Sequence, residues 1–344
     1  MTKIIKAENV EAMAVGAGIL GSGGGGNPYY ELEIAKYELA KVGQATVISV
    51  DDLADDDLIL PVAFMGAPLV SQEKLPNGRE FLQIFEQFQK HFGKYPRAIL
   101  SAEIGGANAL APIVASCRSG IPILDGDLLG RAFPQLQMAS ANLFGVSCAP
   151  SFMADSLDNT MIVNATDASK LEEIARHITV ACGSSLAIGM YVMTGKQAKQ
   201  AVIRGSVSKS IELGNIALAK GDYLTQLCNT TSGKIIGRGT VTDINQTINN
   251  GFLEGEVTIT GRDGAIKIVY QNEYLAAYQS GEISACTPDI ITIFDEESAT
   301  PLLSDTLIYG LRVAVISFPA DKIWYTSDGL KLVGPDAFKI MQEQ

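Results

Sequence analysis

Two stretches decide the fold: Arg97-Ala98-Ile99-Leu100-Ser101-Ala102-Glu103-Ile104-Gly105-Gly106 and Ile121-Pro122-Ile123-Leu124-Asp125-Gly126-Asp127. Each is a short apolar run that stops at an acidic residue followed by glycine, which reads as a buried strand ending in a loop. The segment between them has helical character and is opened by the glycine pair and Asn108. Strand, helix and strand at this spacing make a parallel βαβ unit. Working outward, further strands are expected over 46–50 and 58–64. Phe81, Leu82, Phe85 and Phe88 fall at helical spacing within 79–92, so that helix buries an aromatic stripe on the sheet. The first half, residues 1–165, is therefore an α/β domain with a Rossmann-like parallel sheet.

Downstream the texture changes. A capped helix is expected over 167–182, a strand over 186–193, and two helical segments between 194 and 220. From 234 onward alternating residues over 234–242, 254–260, 265–270, 289–294 and 312–317 predict an antiparallel region. Gly261-Arg262-Asp263-Gly264 has the composition of a hairpin turn. Residues 166–344 thus read as a mixed, β-rich second domain. No internal repeat or low-complexity linker separates the halves.

Composition narrows the function. The chain has 344 residues, 47% hydrophobic and 19% charged, with 26 basic against 38 acidic residues and a net charge of −12. Such a chain repels polyanions, so nucleic acid is a poor partner, and no basic cluster favours an anionic membrane surface. No segment reaches the ~20 apolar residues of a spanning helix. Lys3 and Lys6 before the apolar segment 12–20 imitate a secretion signal, but Glu8, Glu11 and the following glycine run argue against one. A cytoplasmic protein with a small-molecule substrate is the expectation. The five cysteines lie far apart with no CxxC pair, so neither a disulfide framework nor a cysteine zinc site is indicated. With two histidines in the chain, a histidine-rich metal centre cannot be assembled. No Gly-x-Ser-x-Gly elbow is present.

Two constellations remain. Gly21-Ser22-Gly23-Gly24-Gly25-Gly26, followed by Asn27-Pro28 and a helical segment, exposes backbone N–H groups that can approach an anion or a polarised carbonyl. The alternative is a plain loop between helices. The second is acidic. Ligands bind outside the carboxyl ends of strands in an open parallel sheet, and adjacent strands would place Glu103 beside Asp125 and Asp127 there. Close carboxylates push one another's pKa upward, so one could act as acid and another as base. The same three oxygens could instead hold a divalent cation such as Mg²⁺, Mn²⁺ or Ca²⁺. Arg131, a few residues on, could pair with a carboxylate of the protein or of the substrate. In the second half, Asn272 and Glu273 follow an expected strand and could orient a polar ligand; turn chemistry and a helix cap before Leu275 explain them equally well.

The quoted segments, together with Asp125-Gly126-Asp127-Leu128-Leu129-Gly130-Arg131-Ala132-Phe133-Pro134 and Pro288-Asp289-Ile290-Ile291, resemble the S-methyl thiohydantoin desulfurase family over nearly the full chain. That family occurs alone or joined to hydantoinase/oxoprolinase-type subunits. Gln135 departs from it, because a glutamate is expected after the proline in many relatives. The resemblance implies hydrolysis of a cyclic S-methylated thiohydantoin to a hydantoin and methanethiol. Under that reading Glu103, Asp125 and Asp127 are the catalytic candidates. Ser22, Gly23, Gly24, Gly25, Gly106, Asn108, Arg131, Asn272 and Glu273 are the substrate-binding ones. The competing reading is a non-catalytic partner or ligand-sensing subunit of a hydantoinase-like enzyme. A homo-oligomer is the base-rate expectation.

Overall fold

The computed structural model describes residues 3–66, 76–249 and 252–340. Its first sheet runs Lys3–Ile5, Ala45–Ile48, Ile123–Leu124, Ala98–Ser101, Leu58–Gly66, Ser185–Gly189, Ser151–Ala154 and Thr160–Val163. The short strand Met193–Thr194 pairs beside Leu58–Gly66. The four strands from Ala45–Ile48 to Leu58–Gly66 are parallel neighbours, in the registers Val47↔Ile123, Ile99↔Ile123 and Ile59↔Ala98. Glu103 and the acidic segment after Leu124 therefore leave the sheet at the same edge, as the strand-end argument requires.

The sheet is parallel only in this middle part. Ser185–Gly189 pairs antiparallel with Leu58–Gly66, from Val62↔Gly189 to Gly66↔Ser185. The strand expected as one run over 186–193 ends at Gly189 and resumes at Met193. Both pieces belong to the first sheet, although they follow the helix Ala168–Ala181.

The helix Glu80–Phe92 buries Phe81, Ile84, Phe85 and Phe88 against the sheet, each at 1% exposure or less. Such side chains contribute about 1.5–3 kcal/mol apiece. Gly93, at φ +74°, ends the helix in the left-handed conformation that glycine adopts without strain. The helix Ala7–Leu20, whose segment imitates a secretion signal, is a core element instead. It crosses Ser206–Leu218 so closely that a Cβ on Gly16 would lie 1.7 Å from the Ser210 carbonyl oxygen, and one on Gly214 1.7 Å from that of Ala12. Only residues without a side chain permit that crossing.

The second sheet is antiparallel, in the order Glu282–Cys286, Glu273–Gln279, Gly264–Gln271, Phe252–Gly261, Lys234–Asn249, Arg312–Phe318, Ile290–Asp295 and Pro301–Leu302. Phe252–Gly261 and Gly264–Gln271 are joined through Gly261↔Gly264, the expected hairpin. One expectation is corrected. The segment after Asn272, open between a strand end and a helix cap, is a strand, because the chain reverses at Asn272 (φ +55°) and pairs Gln271 with Glu273. One apolar core serves both sheets, joining Val10, Ile19, Ile104 and Leu110 to Ile290, Phe294 and Ile316.

Candidate active site

The glycine loop packs between the two sheets. Ser22, fully buried, accepts the Ile291 N–H at 3.1 Å, and its hydroxyl lies 2.9 Å from Ile291 O and 3.2 Å from Tyr274 O. It thus stitches Glu273–Gln279 to Ile290–Asp295, strands that are not neighbours in the sheet. Gly23 lies against the Tyr274 ring, where a Cβ would come within 2.5 Å. Gly25 and Gly106 interlock: a Cβ on Gly106 would lie 2.2 Å from Gly25 O, which accepts the Ala107 N–H at 2.9 Å. Both glycines have positive φ, a conformation that residues with a side chain rarely adopt. Gly24 faces a carboxyl group, and a Cβ there would sit 2.0 Å from Glu273 Oε1.

Behind the loop three carboxyl groups converge. Asp127 is fully buried, and its Oδ2 accepts the N–H groups of Ile104 (2.9 Å), Leu129 (3.1 Å) and Gly130 (2.8 Å). The Ser206 hydroxyl lies near enough to lower the Asp127 pKa but falls short of hydrogen-bond geometry, leaving Oδ1 and that hydroxyl both without a partner. Burial still pushes Asp127 up to about 6. Glu103 accepts from Asn108 Nδ2 at 2.8 Å, and Asn108 is held by the Phe64 backbone, accepting its N–H at 2.7 Å and donating to its carbonyl at 3.1 Å. Burial raises Glu103 to about 7, the Asn108 amide pulls it down, and the Asp127 charge pushes it further up. Glu273, 3% exposed, is raised to about 8, by burial first and the Glu103 charge second, against Arg131 and the Gly25 N–H. Its Oε2 has no partner among the described residues. Glu103, Ala107, Asn108, Gly25 and Gly26 keep partial exposure, so the cluster opens to solvent on that side.

Several expected site residues lie elsewhere. Asp125 is not in the cluster. Its Oδ1 accepts the Ser208 N–H at 3.0 Å, and its Oδ2 takes the Ser208 hydroxyl at 2.5 Å and Lys3 Nζ at 3.1 Å. It caps the first turn of Ser206–Leu218 from outside, which satisfies an N–H the helix cannot. Arg131 is fully buried and donates to the carbonyls of Ala132 (3.0 Å), Pro288 (2.9 Å) and Asp289 (2.6 Å), clamping the two sheets rather than presenting its fork to a ligand. Asn272 donates its backbone N–H to Leu253 O at 2.8 Å across the hairpin, and its side chain accepts the Leu253 N–H at 2.9 Å. Ser22 and Gly23 are packing residues. Gln135 Oε1 accepts from Gln137 Nε2 at 2.7 Å. The ligand set Glu103, Asp125 and Asp127 is not assembled, and among the described residues no group of three His, Cys, Asp or Glu side chains is arranged for a metal ion.

Sequence reasoning did not single out Ser206. Its signal is faint, a serine opening a helix far along the chain, and only the pairing of Ile203 with Asp127 brings it to the site. A separate surface cleft of about 330 Å³, lined by Tyr223, Arg238, Glu296 and Arg312 among others, contains none of the cluster. The cleft's Arg238 is paired with Glu296 at 3.3 Å, and it lacks the unpaired buried carboxyls that make the loop region the stronger candidate.

Among solved structures, a crystal structure of a protein from Chromobacterium violaceum superposes with a TM-score of 0.81 over 98% of this chain and 97% of that one, at 22% identity. That likeness speaks for the fold. No curated protein matches the chain. The S-Me-THD-like N-terminal domain matches residues 8–165 and the S-Me-THD-like C-terminal domain residues 165–343, which points broadly to thiohydantoin-related function. Together they cover nearly every residue, and the chain belongs to the S-Me-THD-like family.

Proposed function

We propose that the chain hydrolyses a small S-methylated thiohydantoin-type ring at the carbon bearing sulfur. One observation carries the reading: Glu103, partly exposed at the glycine loop, heads a group of carboxyls that form no ion pair among the described residues. A carboxyl group raised to about 7 is ionised in part at neutral pH yet basic enough to take a proton from water. Glu103 is the general base, and Asn108 fixes its orientation through Oε1. Water loses its proton to Glu103 as its oxygen bonds to the ring carbon, and the carbon–sulfur bond then breaks. Glu103 passes that proton to the ring nitrogen, the sulfur leaves with a second proton, and the added hydroxyl loses its own to restore the donor as the carbonyl forms, giving a hydantoin and methanethiol. The N–H groups of Gly21, Ser22 and Gly24 are donated to backbone carbonyls and that of Gly25 faces Glu273, so the partly exposed Gly26 is the member of the run suited to the polarised ring nitrogen.

The test is turnover of hydantoin, thiohydantoin and S-methyl thiohydantoin carboxylates, reading thiol release and ring opening together, with and without added divalent cation. Thiol release from the S-methyl compound with the ring intact is expected. Silence toward the whole panel under both conditions would overturn the reading.

A further inference from the structure

We infer that Glu273, supplied by the β-rich sheet, is the proton donor to the departing sulfur in this reaction. The inference rests on the functional reading above and adds a catalytic residue to it. Its ground is geometric. The Glu273 carboxyl is enclosed by the glycine loop, with Oε1 against Gly24 and the Gly25 N–H beside it, while Oε2 is buried without a partner among the described residues. A buried polar oxygen left unpaired costs about 1–3 kcal/mol, and a ligand atom that accepts from it would remove the penalty. Asp127 is ill suited to the role, because three backbone N–H groups hold its Oδ2 in the charged form. Besides its own backbone N–H, the groups that act on Glu273 are the Glu103 carboxyl, the Arg131 guanidinium and the Gly25 N–H. The two cationic or donor groups favour ionisation, whereas burial and Glu103 favour the proton, and the balance lies at about 8. Glu273 therefore holds its proton at neutral pH while Glu103 next to it is partly ionised, the division of labour an acid–base pair needs.

The leaving group separates this role from a structural one. Methanethiolate needs a proton to depart readily, whereas trifluoroethanethiolate, bulkier but far less basic, does not, and dividing each variant rate by the wild-type rate on the same compound removes the effect of size. With S-methyl and S-trifluoroethyl thiohydantoin as paired probes, Glu273→Gln should lower kcat by about a hundredfold on the first and by less than about threefold on the second. Glu103→Gln should lose activity on both. Retained turnover of the trifluoroethyl compound also shows that the variant is folded. Equal losses on the two compounds, or no loss on the methyl one, would overturn the assignment while leaving the functional reading intact. A wild-type protein that releases thiol from neither would overturn that reading and this role with it. Carbon-13 NMR of the carboxyl groups, assigned with Glu273→Gln, adds a check independent of turnover: a Glu273 signal already ionised at pH 6 would rule out the donor.

Discussion

Two sets of carboxylates in this molecule are treated in opposite ways. On the helical flanks Glu38 is bonded to Arg118 at 2.7 Å and Lys41 at 3.0 Å, Glu172 to Arg176 at 2.5 Å, and Asp125 to Lys3 at 3.1 Å. Behind the glycine loop, Glu103, Asp127 and Glu273 form no ion pair among the described residues, and the guanidinium of Arg131 gives its hydrogen bonds to backbone carbonyls. Burial raises Glu38, but Arg118 and Lys41 outweigh it and hold the group below its ordinary value, whereas all three cluster groups are raised. The difference shows where stability and chemistry part. A paired carboxylate is silent at neutral pH; an unpaired buried one titrates there, which a general acid or base requires.

The largest effect that could break this contrast is loss of the proposed base. Glu103→Gln should reduce kcat/KM for thiol release by about 10²–10⁴-fold with little change in melting temperature; a variant within threefold of wild type would remove Glu103 from the chemistry. Next comes the loop. Gly24→Ala places a methyl group 2.0 Å from Glu273 Oε1, so it should displace that carboxyl and lower turnover more than tenfold. It should also cost about 1–3 kcal/mol in urea unfolding, the usual penalty of overpacking. An unchanged pair of values would mean that Glu273 has room to retreat and is not held by the loop.

Stability against pH sharpens the comparison from another side. Between pH about 4.5 and about 8 Glu273 keeps its proton when folded and loses it when unfolded. The folded state then binds more protons, so stability falls as pH rises through that window, by up to about 1.4 kcal/mol per pH unit for one such group. Glu38 has the opposite sign, its contribution being present above 4.5 and lost as the pH falls. Denaturation of Glu273→Gln across pH 4.5–8 should show a shallower decline than the wild type and a relative gain at pH 8; parallel curves would contradict a raised Glu273. The smallest effect on turnover belongs to Asp125→Ala. It should cost about 1–2 kcal/mol of stability through the lost helix cap. Its kcat should stay within about twofold of wild type, and a large drop in kcat would return Asp125 to the active site.

Much of this was legible from local patterning. The parallel strands, the aromatic face of Glu80–Phe92 and the hairpin at Gly261–Gly264 follow from periodicity and turn chemistry, which depend on residues close in sequence. Glu103 and Asp127 were readable as neighbours because strand order and strand ends place them together. Three things were not readable. Asp125 is two residues from Asp127, yet it serves the helix Ser206–Leu218, a partner more than 80 positions away. Arg131 carries the charge expected of a ligand clamp, but its fork is satisfied by carbonyls near Pro288. Asn272 looked like a site residue and is a reversal that sends Glu273 inward.

Residue type and spacing were enough for the two sheet classes, the glycine run and a supply of acidic groups at strand ends, since these rest on backbone sterics and on which side chains avoid water. Which acidic groups remain unpaired depends on contacts between chain segments hundreds of residues apart, such as Gly24 with Glu273 and Ser22 with Ile291. Desolvation and the absence of a counter-charge are properties of the packed interior. They arise only when the loop, the strand ends of the first sheet and the hairpin of the second close on one another.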